Sequence, residues 1–306
     1  FFIVSTFFVA AKISNAVQGQ IERQVISQSN NYAAVLNTEF NAIEDLVNTH
    51  AEIIMSNPNL NQDDLVSIFN NTVTHNPLIY GAGLIVDEVI AADVVLKSSV
   101  YISKRQVEQE SEKTTFLQND RAITPPQWYS RLKESGTLLW TEPYKSDFSD
   151  QTFKVTVAMP LYFNNVFAGS SFIDIDLKRL QTDTALNSIT TQAFVISSKQ
   201  GRFISHPNPD FIMRVLGKET SEIDDVDLMK LSKAMLSGRS GQIRVASLSS
   251  EFDEPFIIFH APISTPGWSF ATGLPERELL EFSRSQIKYG FFGISMIILF
   301  AIICVI

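Results

Sequence analysis

Two aromatic rings side by side on a short helix are the first residues whose types point to recognition chemistry. Pro125 and Pro126 open that helix, Trp128, Tyr129 and Leu132 lie on it, and Gly136 ends it. Such rings pack on an aliphatic body or cage an ammonium group, at about 0.5–2 kcal/mol per contact. The competing reading is ordinary core. Asp174 stands near the end of a predicted strand, and Asp176 lies just beyond it. A carboxylate there can accept charge-assisted hydrogen bonds, which are stronger than neutral ones. Here the competing reading is a helix N-cap, a role that suits Asp176 better than Asp174. His50 falls on an apolar helical stripe, which favours a core or interface role over metal ligation. His206-Pro207 has no second His or Cys at ligand spacing and reads as a turn. The sequence carries no nucleophile elbow, triad pattern, glycine-rich phosphate loop, cysteine pair or HExxH. We therefore expect neither catalysis nor a cofactor from this chain.

Composition narrows the setting. Asp and Glu number 33 against 24 Lys and Arg, a formal net charge of −9, and no long basic run exists. Nucleic acid is therefore not an expected partner. The single cysteine, Cys304, sits in an apolar run at the C-terminus, so the middle of the chain must rely on ordinary cores. That suits a bacterial periplasmic or extracellular domain. Residues 289–306 (YGFFGISMIILFAIICVI) carry no charge, and residues 1–11 (FFIVSTFFVAA) read as the end of a longer apolar segment. About 20 apolar residues cross a membrane. We expect two spans in a bacterial inner membrane, the middle exposed outside, and a cytoplasmic output module beyond Ile306. A signal peptide is the competing reading of residues 1–11, but no small-residue cleavage site stands out before Lys12. Lys12, Arg284 and Lys288 taken alone argue for the opposite orientation.

Other elements must position the recognition residues. Between residues 12 and 56 there is no proline and one glycine, and Leu36, Phe40, Ile43, Val47, His50 and Ile54 recur at helical spacing. This predicts one long helix whose stripe faces either its own domain or a second copy, the latter making a homodimer. Residues 57–61 (NPNLN) break it, and 62–71 form a second helix. Strands are expected over 79–86, 93–103, 138–142, 153–163 and 166–175, with a loop over 108–121 and a helix over 177–187. Within 153–163, Phe153, Val155, Val157 and Met159 alternate with polar or small residues, the pattern of a strand buried on one side. A second unit follows: a hairpin (193–198 and 202–205) around Lys199-Gln200-Gly201, a helix over 225–236, and strands over 242–248, 255–263 and 268–272. Ala158-Met159-Pro160-Leu161 is echoed by His260-Ala261-Pro262-Ile263, and each is followed by a turn, a strand and a helix. Both halves thus imply an α+β plan, an antiparallel sheet with helices on one side.

With these elements in order the chain resembles a double-Cache sensor domain, in which a long helix leaves the first span and supports two stacked PAS-like units. The matching residues in the first half are Gln127-Trp128-Tyr129, Trp140-Thr141-Glu142-Pro143-Tyr144, Asp147, Pro160, Gly169 and Asp174-Ile175-Asp176-Leu177. In the second half they are Phe194-Val195-Ile196-Ser197, Gly201 to Pro207, Gly241, Ala261-Pro262, Gly267-Trp268 and Pro275-Glu276. The implied organisation is the end of a span (1–11), a signalling helix (12–56), a membrane-distal unit (57–187), a membrane-proximal unit (188–280), and a linker with a second span (281–306). The second half is most similar to sensors of bacterial sigma-regulatory serine phosphatases.

The resemblance implies a small-molecule site in the distal unit. Trp128 and Tyr129 would contact the ligand from the covering helix, with Trp140 in the matching segment. Tyr144, Asp147 and Asp174 would hold its amine. Two departures stand out. The arginine that the family places two residues before the tryptophan is Pro126 here, and the usual Tyr-x-Asp is stretched to Tyr144-Lys145-Ser146-Asp147. An amine without a carboxylate, or another small metabolite, then fits as well as an α-amino acid. A ligand-free dimerisation or partner-docking domain is the alternative.

Overall fold

The structure is a computed structural model. It describes residues 2–57, 60–87, 99–104, 115–117, 126–145, 152–182, 192–196, 198–206, 208–216, 226–246, 254–278 and 281. Helix α1 (Phe2–Ser56) runs unbroken for 55 residues, and α2 (Gln62–His75) follows. A reciprocal capping box starts α2, with the Asn61 side chain bonded to the Asp64 backbone and the Asp64 side chain to that of Asn61. It extends one turn beyond the predicted end at residue 71.

Two antiparallel sheets follow. The first contains β1 (Ile79–Val86), β2 (Ser99–Ser103), β3 (Thr115–Leu117), β4 (Leu139–Trp140), β5 (Tyr144–Lys145), β6 (Phe153–Phe163) and β7 (Val166–Asp176). Its order is β3-β2-β1-β7-β6-β4, with β5 also beside β6. The short strand β3 lies where the polar composition predicted only loop. The expected strand over 93–103 is seen as β2, its earlier residues lying outside the described ones. Helix α3 (Gln127–Ser135) starts after Pro126 and stops at Gly136, whose left-handed backbone (φ 64°) donates its N–H to the Leu132 carbonyl. Helix α4 (Leu177–Thr182) leads out of β7.

The second sheet has the order β10-β11-β12-β8-β9. Its strands are β8 (Gln192–Ile196), β9 (Phe203–Ser205), β10 (Gly241–Val245), β11 (Phe256–Ile263) and β12 (Trp268–Pro275), with helix α5 (Val226–Met235) between β9 and β10. The internal echo reappears in three dimensions. Pro160 pairs with Ser170 across β6–β7, and Pro262 pairs with Ser269 across β11–β12. In each hairpin the serine hydroxyl donates to the carbonyl of the residue before the proline, Met159 or Ala261, at 3.2 Å.

Every member of the predicted α1 stripe is buried. The stripe faces the protein's own sheets: Phe40, Ile43, Val47 and Ile54 join Val155, Val157, Ile173 and Ile175 of the first sheet and Ala261, Ile263 and Phe270 of the second in one core. Earlier in α1, Ile21, Val25 and Ile26 pack against Ile257, Phe259 and Leu274.

The expectation of helices on one side of each sheet is corrected. In the first sheet α3 covers the face opposite α1, through Trp128, Tyr129 and Leu132 against Ile85, Tyr101, Ala158 and Phe172. In the second, Leu228, Leu231 and Met235 of α5 cover the face opposite α1, against Ile196, Phe256 and Ile258. The one-sided reading of β6 fails for the same reason, because Lys154, Thr156 and Ala158 are as buried as Val155 and Val157. The two apolar runs stand differently. Residues 2–11 form the start of α1, and 289–306 lie outside the described residues. Among the described residues no helix is long and apolar enough to cross a membrane.

Candidate functional site

The face of the first sheet beneath α3 gathers most of the predicted recognition residues. Side chains alternate across a strand, so Gly81 and Gly83 of β1, Phe172 and Asp174 of β7, and Lys154, Thr156 and Ala158 of β6 point the same way. Strand register aligns them in rows: Gly81, Asp174 and Thr156 in one, Tyr101, Gly83, Phe172 and Ala158 in the next. The two glycines leave the space that two rings fill. A Cβ at Gly81 would run into the Tyr101 hydroxyl, and one at Gly83 would press on the Phe172 ring and the Val100 carbonyl. Tyr101 therefore lies across β1, stacks on Phe172 at 5.7 Å between centroids, and reaches Asp174.

Asp174 is 4% exposed and thoroughly engaged. Its Oδ2 accepts from the Tyr101 hydroxyl at 2.9 Å, and its Oδ1 accepts from Thr156 Oγ1 at 2.7 Å. With the Thr156 proton committed to Asp174, the 2.7 Å contact between Tyr144 and Thr156 has the tyrosine as donor. Lys154, 1% exposed, brings its ammonium to 3.8 Å from Asp174 Oδ2 and 4.1 Å from the centre of the Tyr80 ring. Burial, and then the Asp174 charge, push the Tyr101 hydroxyl well above its ordinary pKa.

Trp128 and Tyr129 are each 6% exposed. The Trp128 ring leans on Phe172 with centroids 5.6 Å apart, and Tyr129 meets Phe167 edge-on at 5.6 Å. Neither polar atom, Trp128 Nε1 or Tyr129 Oη, has a hydrogen-bond partner among the described residues. Burial, with Asp87 second, raises the Tyr129 pKa, so this hydroxyl keeps its proton.

Of the six predicted site residues, Trp128, Tyr129, Tyr144 and Asp174 thus share one face, and Asp147 lies outside the described residues. Trp140 does not join them. It points to the α1 side, where its Nε1 donates to Glu44 Oε2 at 3.1 Å and its ring meets Phe40 and Trp268 edge-on. Its partner in β6 is Val157, a residue of that core face, and alternation carries Trp140 there with it. Sequence reasoning missed Tyr80, Tyr101, Lys154, Thr156 and Phe172. The available signal was the Tyr80-Gly81-Ala82-Gly83 run, whose glycines mark a strand approached closely from one side.

The other candidates are structural. His50 Nε2 meets Thr72 Oγ1 at 2.9 Å, and the Thr72 proton goes to the Ile68 carbonyl, so the histidine is the donor. His206 Nδ1 accepts from the Asn208 backbone at 3.0 Å within its turn. Among the described residues no three His, Cys, Asp or Glu come together as a metal would need.

A fold of this kind has known relatives. The Cache domain family matches residues 9–282. The chain belongs to that family. A comparison with curated proteins found no match. Among solved structures, the extracellular domain of mmHK1S-Z2, described as a histidine kinase, superposes on this Cache domain with a TM-score of 0.67. It is 20% identical over 85% of this chain and 98% of its own. The periplasmic sensory domain of the Campylobacter jejuni chemoreceptor Tlp1 gives 0.67 at 14% identity, covering 86% and 98%. The ligand-binding domain of the Pseudomonas fluorescens chemoreceptor CtaA, in complex with L-serine, gives 0.57 at 16%, covering 85% and 99%. At such identities the likeness is one of fold, and it bears on kinases and chemoreceptors rather than on the serine-phosphatase placement. It does bear out for this Cache chain an α+β fold of antiparallel sheets built on one long helix.

Proposed function

We propose that this chain is the extracytoplasmic sensing portion of a bacterial membrane receptor and that it binds a small metabolite between α3 and the first sheet. The observation that carries this reading is the pair of polar atoms, Trp128 Nε1 and Tyr129 Oη, buried without partners on the helix that covers that sheet. An unsatisfied buried donor costs about 1–3 kcal/mol, and a ligand supplying acceptors would recover it. The amino-acid complex of CtaA supports the reading by its fold alone.

In this proposal the distal unit spans residues 57–187 and the proximal unit 188–280. Residues 1–11 and 289–306 anchor the domain on either side, and α1 of two copies pairs on the face that carries the exposed Val35. Ligand binding shifts α1 and the segment after β12, toward a cytoplasmic output module. A ligand biases such a change only by its difference in affinity for the two states, typically about 1–3 kcal/mol.

A thermal-shift screen of amino acids, amines, carboxylates and purines tests the site. A hit is expected, and Trp128→Phe, which removes the indole donor, should weaken it tenfold or more. A flat screen would favour a ligand-free dimerisation or partner-docking domain. Reporter fusions at Gly136 test the topology, and a cytosolic result would overturn it.

A further inference from the structure

The arrangement that an amine ligand would need is already built and occupied. An ammonium is held by a carboxylate with aromatic faces around it. Asp174 supplies the carboxylate, Tyr80 and Tyr101 supply faces at 4.1 and 5.9 Å, and the ammonium between them is that of Lys154. Both oxygens of Asp174 also accept hydroxyl hydrogen bonds from within the fold. An incoming amine would therefore have to displace Lys154 from Asp174 and part a buried pair of opposite charges, which is strongly unfavourable. The unmet groups point the other way. Trp128 Nε1–H can only donate, and Tyr129 keeps its proton. Among the described residues, what these two groups lack is an acceptor.

We infer that Lys154 fills the amine position of the distal unit from within, and that the ligand is a small molecule presenting an oxygen acceptor, carbonyl or carboxylate, and no ammonium. The inference rests on the proposed sensor function and narrows its ligand class.

Compounds matched in all but the head group test this directly, on the purified full chain in detergent. One series is propionate, propionamide and propylamine; the other is phenylacetate, phenylacetamide and 2-phenylethylamine. Acceptor-bearing members should raise the melting temperature and the two amines should not. Lys154→Met should invert the preference, with the destabilised variant rescued by the amines, because the vacated position again faces Asp174. The double variant Lys154→Met with Asp174→Asn removes both charges and should fold without amine rescue, which separates the counter-ion role from simple packing. Binding confined to amines in the unaltered chain, or no amine rescue of a folded Lys154→Met variant, overturns the inference and leaves the sensor reading standing. No response to either series or to the wider screen overturns both.

Discussion

Trp140 of the first sheet and Trp268 of the second meet edge-on, with ring centroids 5.7 Å apart and planes at 74°, and Phe40 of α1 lies edge-on to both. The three rings come from three different elements and join the two sheets to the long helix in one buried cluster. Nearby, the Lys199 backbone of the second unit donates to Glu142 of the first at 3.2 Å. The sheets are therefore held together by packing with a polar contact beside it. Strand β6 takes part in both places, with Ala158 under α3 and Val157 paired to Trp140 of this cluster.

Replacing Trp268 with alanine should lower stability by about 3–5 kcal/mol, the usual effect of deleting a large buried ring. Trp140→Ala should behave alike and also leave Glu44 without its indole donor. The two losses should not add, since the rings touch, and a coupling of about 0.5–1.5 kcal/mol is expected from a double-mutant cycle by urea denaturation.

Stability should decline in mild acid. Burial lowers the pKa of His50 from 6.5 to about 4. The unfolded chain therefore takes up a proton there before the folded one does. Its contribution is complete above pH 6.5 and shrinks as the pH falls toward 4, by about 3 kcal/mol at one pKa unit per 1.36 kcal/mol. Nδ1 of His50 is buried without a partner among the described residues, so a proton added there would find no acceptor. His206, also at about 4, adds in the same direction. Denaturation midpoints between pH 7 and 4.5 read the slope, and His50→Leu should flatten it.

The two glycines of β1 should be intolerant. Gly81→Ala forces the Tyr101 hydroxyl away from Asp174, and Gly83→Ala meets the Val100 carbonyl, which is backbone and cannot swing aside. A loss of about 1–3 kcal/mol is expected for each by urea denaturation. The Gly83 variant should be the worse of the two.

Thr156→Val keeps the shape but removes a hydroxyl that donates to Asp174 and accepts from Tyr144. Each of those groups loses one bond, and a cost of about 1–3 kcal/mol is expected from thermal or chemical unfolding.

Periodicity made the frame legible. The α1 stripe, the bounds of β1 and β6 and the stop at Gly136 all follow from spacing and backbone chemistry that neighbouring residues alone determine. The site was legible only in part. Trp128 and Asp174 stand out by type and position, but Lys154 does not, because a lysine between Phe153 and Val155 reads as the wet side of a strand. Only the pairing of Thr156 with Asp174, and the presence of α3 overhead, place that side indoors. Trp140 shows the converse. Resemblance put it in the matching segment, yet the face it takes is set by its pairing with Val157, which proximity in sequence to Tyr144 does not reveal. The strand β3 is three residues in a polar stretch, too short for alternation to register.

The unbroken course of α1 has a mechanical consequence. Phe40 sits against both tryptophans, and from there to Phe2 the helix extends 38 residues without interruption, roughly 57 Å at 1.5 Å per residue. Over that length one degree of tilt at the aromatic cluster is about 1 Å at the far tip and about half that at Ile21. The helix therefore cannot tilt as a lever without sliding Ile21, Val25 and Ile26 over Ile257, Phe259 and Leu274 of the second sheet.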